Sequence, residues 1–234
     1  MAQVPNLGSK YGAECRSCWT VPKGYKLVGI DASGLELRML AHYMDDKEYT
    51  NEILNGDIHT ANQRLAGLES RNQAKTFIYA LLYGAGDEKL GSVAGGGKRT
   101  GEKLRKSFFD NLPSFATLRN KVARTAAKRS YLKGLDGRKI PIRSEHSALN
   151  TLLQGAGAII MKQAVVLLNE KIKDLDAHFV ANVHDEWQIE VREDLADTVG
   201  KLGVEAIIEA GKVLKLKCPL DGEYKVGDNW SETH

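Results

Sequence analysis

The chain has 234 residues, of which 42% are hydrophobic and 27% are charged, and its formal net charge is +3. These values are ordinary for a globular protein with one large or two small domains, and the small charge excludes a histone-like binder of nucleic acid. No signal peptide is visible and we expect no apolar run long enough to span a membrane, so we predict a cytoplasmic protein without membrane contact.

The first half of the chain predicts one strand and several helices. Leu27, Val28 and Ile30 form a short apolar strand that ends at Asp31, where the pattern changes to that of a helix. Residues 57–59 read as a helix entry. A strong helical pattern then runs from Arg71 to about residue 83 and ends at Gly84 and Gly86.

The second half predicts a glycine turn at residues 95–97 and amphipathic helices over 103–109 and 114–128. Residues 135–138 read as a hairpin turn with an Asp-Gly pair. A long apolar helix follows over 148–171, and strands over 179–183 and 188–191 flank the His-Asp-Glu run at residues 184–186. A helix over 194–212 and short strands in the tail complete the prediction.

The cysteines and the basic clusters give weaker indications of function. Cys15 and Cys18 form a CxxC pair without a second pair, whereas a zinc site needs four ligands, so reduced thiols are the plain interpretation. Two basic clusters lie near residues 98–106 and 121–133, and each is interpreted either as a solvated helix face or as a phosphate-binding surface.

Two aspartates carry the clearest chemical signal. Asp31 follows the first strand, and Asp185 lies between the two strands predicted near the end of the chain. Phosphoryl transfer commonly uses two cations about 3.5–4 Å apart, and Mg²⁺ binds one or two carboxylates together with substrate phosphates. Two aspartates on separate strands can bridge both ions, so Asp31 and Asp185 are the predicted metal ligands.

The predicted helix from Arg71 carries a stripe of side chains suited to a nucleotide. Arg71, Lys75, Tyr79 and Tyr83 are spaced by four, which advances each by about 40° around a helix. The first two can meet the β- and γ-phosphates of a nucleotide, since arginine offers a planar fork and lysine a point charge. The alternative is an amphipathic helix with its aromatic residues in the core, and we accept that alternative for residues 77, 78, 81 and 82.

The strings DASGLELR, RNQAKTFIYALLYGAGDEKLG and VHDE, in this order, resemble motifs A, B and C of the family A DNA polymerases, and most closely those of short-tailed phages. NGDIHT, KGLDGRKIPIRS, ALNTLLQGAGA and the closing GDNW match as well. The resemblance implies an α/β (α+β) fold, with an antiparallel palm sheet and helical fingers. We expect palm at 1–45, fingers at 46–149 and palm at 150–234, without the family's thumb and exonuclease domains.

The resemblance also implies roles for single residues. The metal site would add the backbone carbonyl of Ala32, and Glu186 would lie near the metals in a catalytic role without being an essential ligand. Lys75 would protonate the leaving pyrophosphate, Tyr79 would contact the sugar and base, Glu36 would block a ribose 2′-hydroxyl, and His59 would donate to the β-phosphate. The predicted DNA contacts are Tyr83 and Gly84 at the template base, Asn150 and Gln154 in the minor groove, Arg138 on a phosphate and His184 at the primer end.

Three functions remain open on sequence alone. The first is a template-directed DNA polymerase core that extends a primer with deoxynucleoside triphosphates, using two Mg²⁺ ions for which Mn²⁺ can substitute. The second is a split or truncated module that works only with a separate chain carrying the thumb and exonuclease. The third is a metal nuclease, which has no use for the stripe from Arg71 to Tyr83. For all three, the implied setting is the cytoplasm of a phage-infected or prophage-bearing bacterium.

Overall fold

The computed structural model describes residues 3–234 and divides into two compact units. Unit 1 contains the chain up to Leu35 together with Gly157–His234, and unit 2 is Glu36–Ala156. Residues 1 and 2 of the predicted first palm segment lie outside the described residues. The structural divisions follow residues 35 and 156, whereas the predicted ones follow residues 45 and 149.

The described part of the chain contains ten α-helices and six strands. In chain order they are α1 (Gly12–Ser17), β1 (Tyr25–Ala32), α2 (Leu35–Met44), α3 (Lys47–Asn55), α4 (Ile58–Ala66), α5 (Arg71–Leu82), α6 (Asp87–Ser92), α7 (Lys98–Asn111), α8 (Pro113–Lys128), β2 (Tyr131–Lys133), β3 (Lys139–Pro141), α9 (Ala148–Ile172), β4 (Ala177–Val183), β5 (Glu186–Arg192), α10 (Ala196–Val213) and β6 (Gly222–Gly227). Single 3₁₀ turns precede α9 and α10.

Unit 1 is built on a four-stranded sheet in the order β4-β5-β1-β6, with every neighbouring pair antiparallel. The inner strand β1 is buried from Leu27 to Ile30, which explains its continuous apolar run. Helix α10 packs closely on this strand: a Cβ at Gly203 would lie 2.3 Å from Ile30 Cδ1. The glycine therefore allows the helix to cover the sheet behind the predicted metal site.

The helices of unit 2 begin at well-formed caps. Asp46 accepts hydrogen bonds from two N–H groups at the start of α3, and Asp57 does the same for α4. Ser70 and Gln73 form a reciprocal capping box at the start of α5. These side chains satisfy N–H groups that have no partner within the helix, and they fix where each helix starts.

An aromatic core joins three helices of unit 2. The rings of Phe77 on α5 and Phe108 on α7 lie 5.8 Å apart, and Phe108 lies 5.3 Å from Phe115 on α8. All three side chains are fully buried and meet edge to face, a favourable arrangement for aromatic pairs. The contacts hold α8 and α5 to the same core.

The structure confirms the predicted α+β fold with an antiparallel sheet. The helix from Arg71 and the hairpin turn at residues 135–138 occur as predicted. Both strands around the His-Asp-Glu run also occur, but the second begins at Glu186, two residues earlier than predicted. Helix α7 starts at Lys98, five residues earlier than predicted, because its polar first turn carries no apolar period. The short helices α1, α3 and α6 were not predicted.

Residues 145–172 bear on the expectation that no apolar run is long enough to span a membrane. By length and composition they could cross a membrane, with a mean hydropathy of 1.5 in the most apolar window. Half of that window is buried inside the protein, and core helices of soluble proteins pass the same test. The prediction that no apolar run reaches this length was therefore too strong, but this helix is weak evidence for a membrane.

Candidate active site

The two predicted metal ligands are joined through the sheet of unit 1. Strands β1 and β5 are antiparallel neighbours, and Asp31 is opposite Glu186 in their register. The backbone N–H of Ala32 donates to the carbonyl oxygen of Asp185 at 3.1 Å. Two motifs about 150 residues apart in sequence therefore meet at one end of the sheet.

Negative charge accumulates at this end of the sheet. The pKa of Asp31 is raised to about 7, mainly by burial and further by the charges of Asp185, Glu186 and Glu223, while Lys225 lowers it. Burial also raises the pKa of Asp185. Crowded, partly buried carboxylates favour a neutralising cation, and their oxygen atoms are the donors that Mg²⁺ prefers.

The predicted metal ligands are few, which suits a cation that takes most of its ligands from substrate or solvent. No cluster of three or more His, Cys, Asp or Glu side chains in residues 3–234 is arranged to enclose a metal ion. A magnesium site needs only one or two carboxylates when substrate phosphates supply further oxygens. Asp31 and Asp185, with the carbonyl of Ala32, fit that requirement.

His184 and Asp185 form the tight turn between β4 and β5. His184 is exposed and has φ of 57°, a left-handed conformation that is uncommon outside glycine. Asp185 is half-buried, and its carbonyl is the acceptor for Ala32. The turn thus presents His184 to solvent and holds Asp185 against β1.

Glu186 is held by the C-terminal segment. It is 4% exposed and accepts a hydrogen bond from Trp230 Nε1 at 2.8 Å. Its carboxylate also contacts Gln188 Nε2 and His234 Nδ1, and Thr233 Oγ1 donates to Gln188 Oε1 at 2.7 Å. Sequence reasoning missed these partners, although the closing GDNW block was a signal for Trp230. The catalytic role predicted for Glu186 stays a prediction.

Unit 2 brings together four of the five residues predicted to bind the nucleotide. Arg71 and Lys75 lie exposed on the first turns of α5, and the ring of Tyr79 lies 6.3 Å from that of His59 on α4. Burial lowers the pKa of His59, and the positive charges of Arg71 and Lys75 lower it further. This neutral histidine and two cations form a patch that favours an anion.

Two polar groups of this patch matter for binding an anion: the ring nitrogen Nδ1 of His59 and the guanidinium of Arg71. Nδ1 of His59 is buried and has no hydrogen-bond partner among residues 3–234. Arg71 Nε donates to Asp57 Oδ2 at 2.6 Å, and this pairing holds the pKa of Asp57 well below its usual range. Asp57 was not predicted as a site residue. It engages the guanidinium that we expect to meet a triphosphate.

Glu36, the fifth residue, binds two predicted DNA contacts in the same unit. Its carboxylate accepts from Tyr83 Oη at 3.1 Å and from Gln154 Nε2 at 3.2 Å. Asn150 lies one turn before Gln154 on α9. Gly84 has φ of 78°, and a Cβ there would lie 2.8 Å from the carbonyl oxygen of His146. A side chain at position 84 would therefore be strained and would collide with backbone.

Arg138 lies in the exposed turn between β2 and β3. Its guanidinium pairs with Asp136, with Nη2 2.6 Å from Oδ2, which raises the pKa of Arg138. A phosphate contact by Arg138 would compete with this local ion pair. Its role on DNA stays a prediction.

Two aspartates brought together at one end of a sheet suit a two-metal site of the kind that polymerases share with nucleases and phosphatases. The chain belongs to DNA polymerase family A, whose sequence model matches residues 1–232.

Named relatives agree with this assignment. The DNA-directed DNA polymerases of Enterobacteria phage T3 and Escherichia phage T7 are each 44% identical over the whole chain, which spans 38% of their length. The solved POL domain of Pol1 from M. smegmatis, in complex with DNA primer-template and dNTP, is 25% identical. It has a TM-score of 0.88 over 99% of this chain and 44% of that chain.

Proposed function

We propose that this chain is the catalytic core of a template-directed DNA polymerase, which adds deoxynucleotides to the 3′-hydroxyl of a primer. The observation that carries the proposal is the hydrogen bond between Ala32 and Asp185, which brings the aspartates of two family motifs to one end of the sheet. The proposed substrates are primer-template DNA and deoxynucleoside triphosphates, the same ligands as in the M. smegmatis complex.

Asp31, Asp185 and the carbonyl of Ala32 are the groups that would hold two Mg²⁺ ions, with Mn²⁺ as a substitute. When bound, such ions activate the attacking hydroxyl and neutralise charge on the leaving pyrophosphate. The protein contributes the positions of the donors: β1 and the turn before β5 are tied together by backbone, so the main-chain positions of both aspartates are set before any substrate arrives.

The triphosphate is proposed to bind at the patch on α4 and α5. Arg71 would leave Asp57 to bind phosphate oxygens, and His59 would donate to the β-phosphate through a ring nitrogen. Lys75, exposed one turn from Arg71, would deliver a proton to the departing pyrophosphate. Tyr79 would contact the sugar and base, and Glu36 would stand at the 2′ position of the sugar, where a ribonucleotide carries its hydroxyl.

The remaining predicted residues are proposed to contact DNA. Asn150 and Gln154 offer amide donors to minor-groove acceptors, which are similar in all base pairs and so suit a check of pair geometry. Tyr83 and Gly84 would border the template base. Arg138 and His184, both exposed, would meet a backbone phosphate and the primer end. The proposed setting is the bacterial cytoplasm during phage infection or in a host that carries the prophage.

Single-nucleotide primer extension by the purified chain tests the proposal, with Mg²⁺ and separately with Mn²⁺ at low salt. Template-matched incorporation supports a working core. Nucleotide binding without incorporation supports the second candidate, a module that needs polypeptide outside this sequence. The 38% coverage of the phage relatives is the reason to keep that candidate. Degradation of DNA without added nucleotide would instead support a metal nuclease.

A further inference from the structure

We propose that the exposed face of α8 formed by Lys121, Arg124 and Lys128 binds the phosphates of single-stranded nucleic acid, namely the unpaired part of the template strand. The assignment of that strand as template rests on the proposed polymerase function. The surface lies on the same aromatic core as α5, through Phe115, Phe108 and Phe77. It is separate from every residue proposed above to bind the nucleotide.

Charge is distributed unevenly along the sequence at this helix. Residues 111–135 contain no Asp or Glu and include six of the 33 cationic side chains: Arg119, Lys121, Arg124, Lys128, Arg129 and Lys133. The chain as a whole has 30 acidic residues and a net charge of only +3. The rest of the chain is therefore slightly acidic, and this stretch stands out as a polycation.

The helix concentrates three of these charges on one face. At 100° per residue, Lys121, Arg124 and Lys128 fall within an arc of about 60°. The apolar residues Phe115 and Leu118 project to a different side and are buried. The basic face is therefore a single row that follows from the helical register.

The three cationic side chains of this row are free to bind an anion from solution. All three side chains are exposed, and among residues 3–234 none of them forms an ion pair. On the preceding helix, by contrast, Arg105 and Lys106 pair with acidic neighbours. The same surface of α8 also presents Thr117, Asn120, Thr125 and the C-cap residue Arg129 beside the row. Hydroxyl and amide groups beside the cations suit phosphate oxygens.

The shape of the row favours one nucleic-acid strand. Lys121 and Lys128 are separated by about 10 Å along the helix axis. A stacked strand carries one phosphate per about 3.4 Å, so that length spans about four successive phosphates, enough for each of the three cations to meet one. A half-buried aromatic residue, Tyr131, follows three residues after the row, and single-strand binding surfaces combine cations with such rings.

The test compares a triple variant with a charge-matched control. The variant is Lys121→Ala, Arg124→Ala and Lys128→Ala. The control is Lys23→Ala, Lys201→Ala and Lys212→Ala, three exposed lysines of unit 1 that form no ion pair among residues 3–234. Circular dichroism melting establishes that both are folded. The probe is a fluorescently labelled oligothymidylate, and its binding is measured by anisotropy over a range of salt concentrations.

The expected result is affinity about tenfold weaker in the α8 variant than in the control at low salt. The slope of log K against log salt should fall by about 2, for three lost phosphate contacts on a single strand. A primer-template with a 5′ overhang should show the same difference, and a blunt duplex should not. Equal affinity and slope in variant and control would overturn the proposal, as would α8-dependent binding of polyglutamate but not of oligothymidylate.

Primer extension at saturating DNA separates this proposal from the proposed function. The α8 variant should retain incorporation there, because none of its three residues belongs to the proposed catalytic site. If the parent chain extends primers while variant and control bind DNA alike, the polymerase function stands and the template surface is wrong. If the parent binds oligothymidylate through α8 without extending primers, the surface stands as a single-strand site and the polymerase function fails.

Discussion

The N–H of Ala32 donates to the carbonyl oxygen of Asp185 at 3.1 Å, which ties the end of β1 to the turn before β5. Backbone therefore sets the relation between the main chains of Asp31 and Asp185. The turn reaches this position with His184 in a left-handed conformation, φ 57°. Local strain of this kind persists where surrounding structure enforces it, and here the antiparallel ladder does so.

Asp57→Asn should strengthen nucleotide binding. Asparagine caps a helix as well as aspartate does, so α4 should be kept, while the ion pair with Arg71 is lost. Because an exposed ion pair is a weak interaction, the KM for a matched nucleotide should fall only modestly, by at most about fivefold. Steady-state single-nucleotide incorporation measures this.

Two further variants serve as comparisons for the KM of Asp57→Asn. Arg71→Ala should raise the nucleotide KM, and Asp136→Asn, which removes the acidic partner of Arg138, should leave it unchanged. If Asp57→Asn raised the KM as much as Arg71→Ala, Asp57 would orient the arginine for substrate and would not compete with it.

Glu36→Ala should weaken discrimination against ribonucleotides. The carboxylate is fixed by Tyr83 and Gln154, and alanine would open space beside the sugar. The ratio of deoxyribonucleotide to ribonucleotide incorporation efficiency should fall at least about tenfold, equivalent to about 1.4 kcal/mol. Tyr83→Phe removes one hydrogen bond but keeps the carboxylate, so its effect should be smaller. An unchanged ratio in Glu36→Ala would remove this residue from the sugar site.

Trp230→Phe should destabilise the protein by about 1–3 kcal/mol, because buried Glu186 loses its indole donor. Urea unfolding followed by circular dichroism gives the free energy of unfolding. Trp19→Phe is the control: this tryptophan is 48% exposed and contacts Trp230 edge to face. Equal losses in both variants would show that ring packing, and not the bond to Glu186, accounts for the effect.

Asp46 should make a pH-dependent contribution to the free energy of unfolding. Burial raises its pKa, but N–H groups of Tyr49 and Glu48 and the hydroxyl of Ser114 lower it more, so the net pKa lies below its ordinary value of 3.8. The charged form is thus favoured in the folded state. Its stabilisation is present above pH 3.8 and is lost as the pH falls through the folded-state pKa.

Asp46→Asn should therefore be less stable than the parent near neutral pH and should approach it as the pH falls through the folded-state pKa of Asp46, which lies below 3.8. Urea unfolding at several pH values checks this difference. Asp46→Ala, which also loses the cap of α3, should cost about 1 kcal/mol more at every pH. A difference between parent and Asp46→Asn that does not change with pH would contradict the assignment.

Much of this fold follows from the sequence because its signals are local. The run from Leu27 to Ile30 predicts a buried strand, and the four-residue spacing from Arg71 predicts α5. The Asp-Gly pair predicts the hairpin turn. Each signal lies within one element, where apolar period and turn chemistry act over a few residues.

The unpredicted features depend on residues that are distant in sequence. Nothing in the local pattern of Glu186 shows that Trp230 and His234 would cover it, and the pairing of Arg71 with Asp57 depends on how α4 meets α5. The short helices α1, α3 and α6 have too few turns for a clear apolar period. The roles of the predicted site residues stay predictions until they are measured.

The most direct measurement is single-nucleotide primer extension by Asp31→Asn and Asp185→Asn beside the parent chain and Asp174→Asn, an exposed aspartate of unit 1. The account predicts template-matched incorporation by the parent and by Asp174→Asn. It predicts none by the two site variants, with circular dichroism melting showing all four proteins folded. Incorporation retained by Asp31→Asn or Asp185→Asn would contradict the assignment of these aspartates as the metal-binding centre of a polymerase.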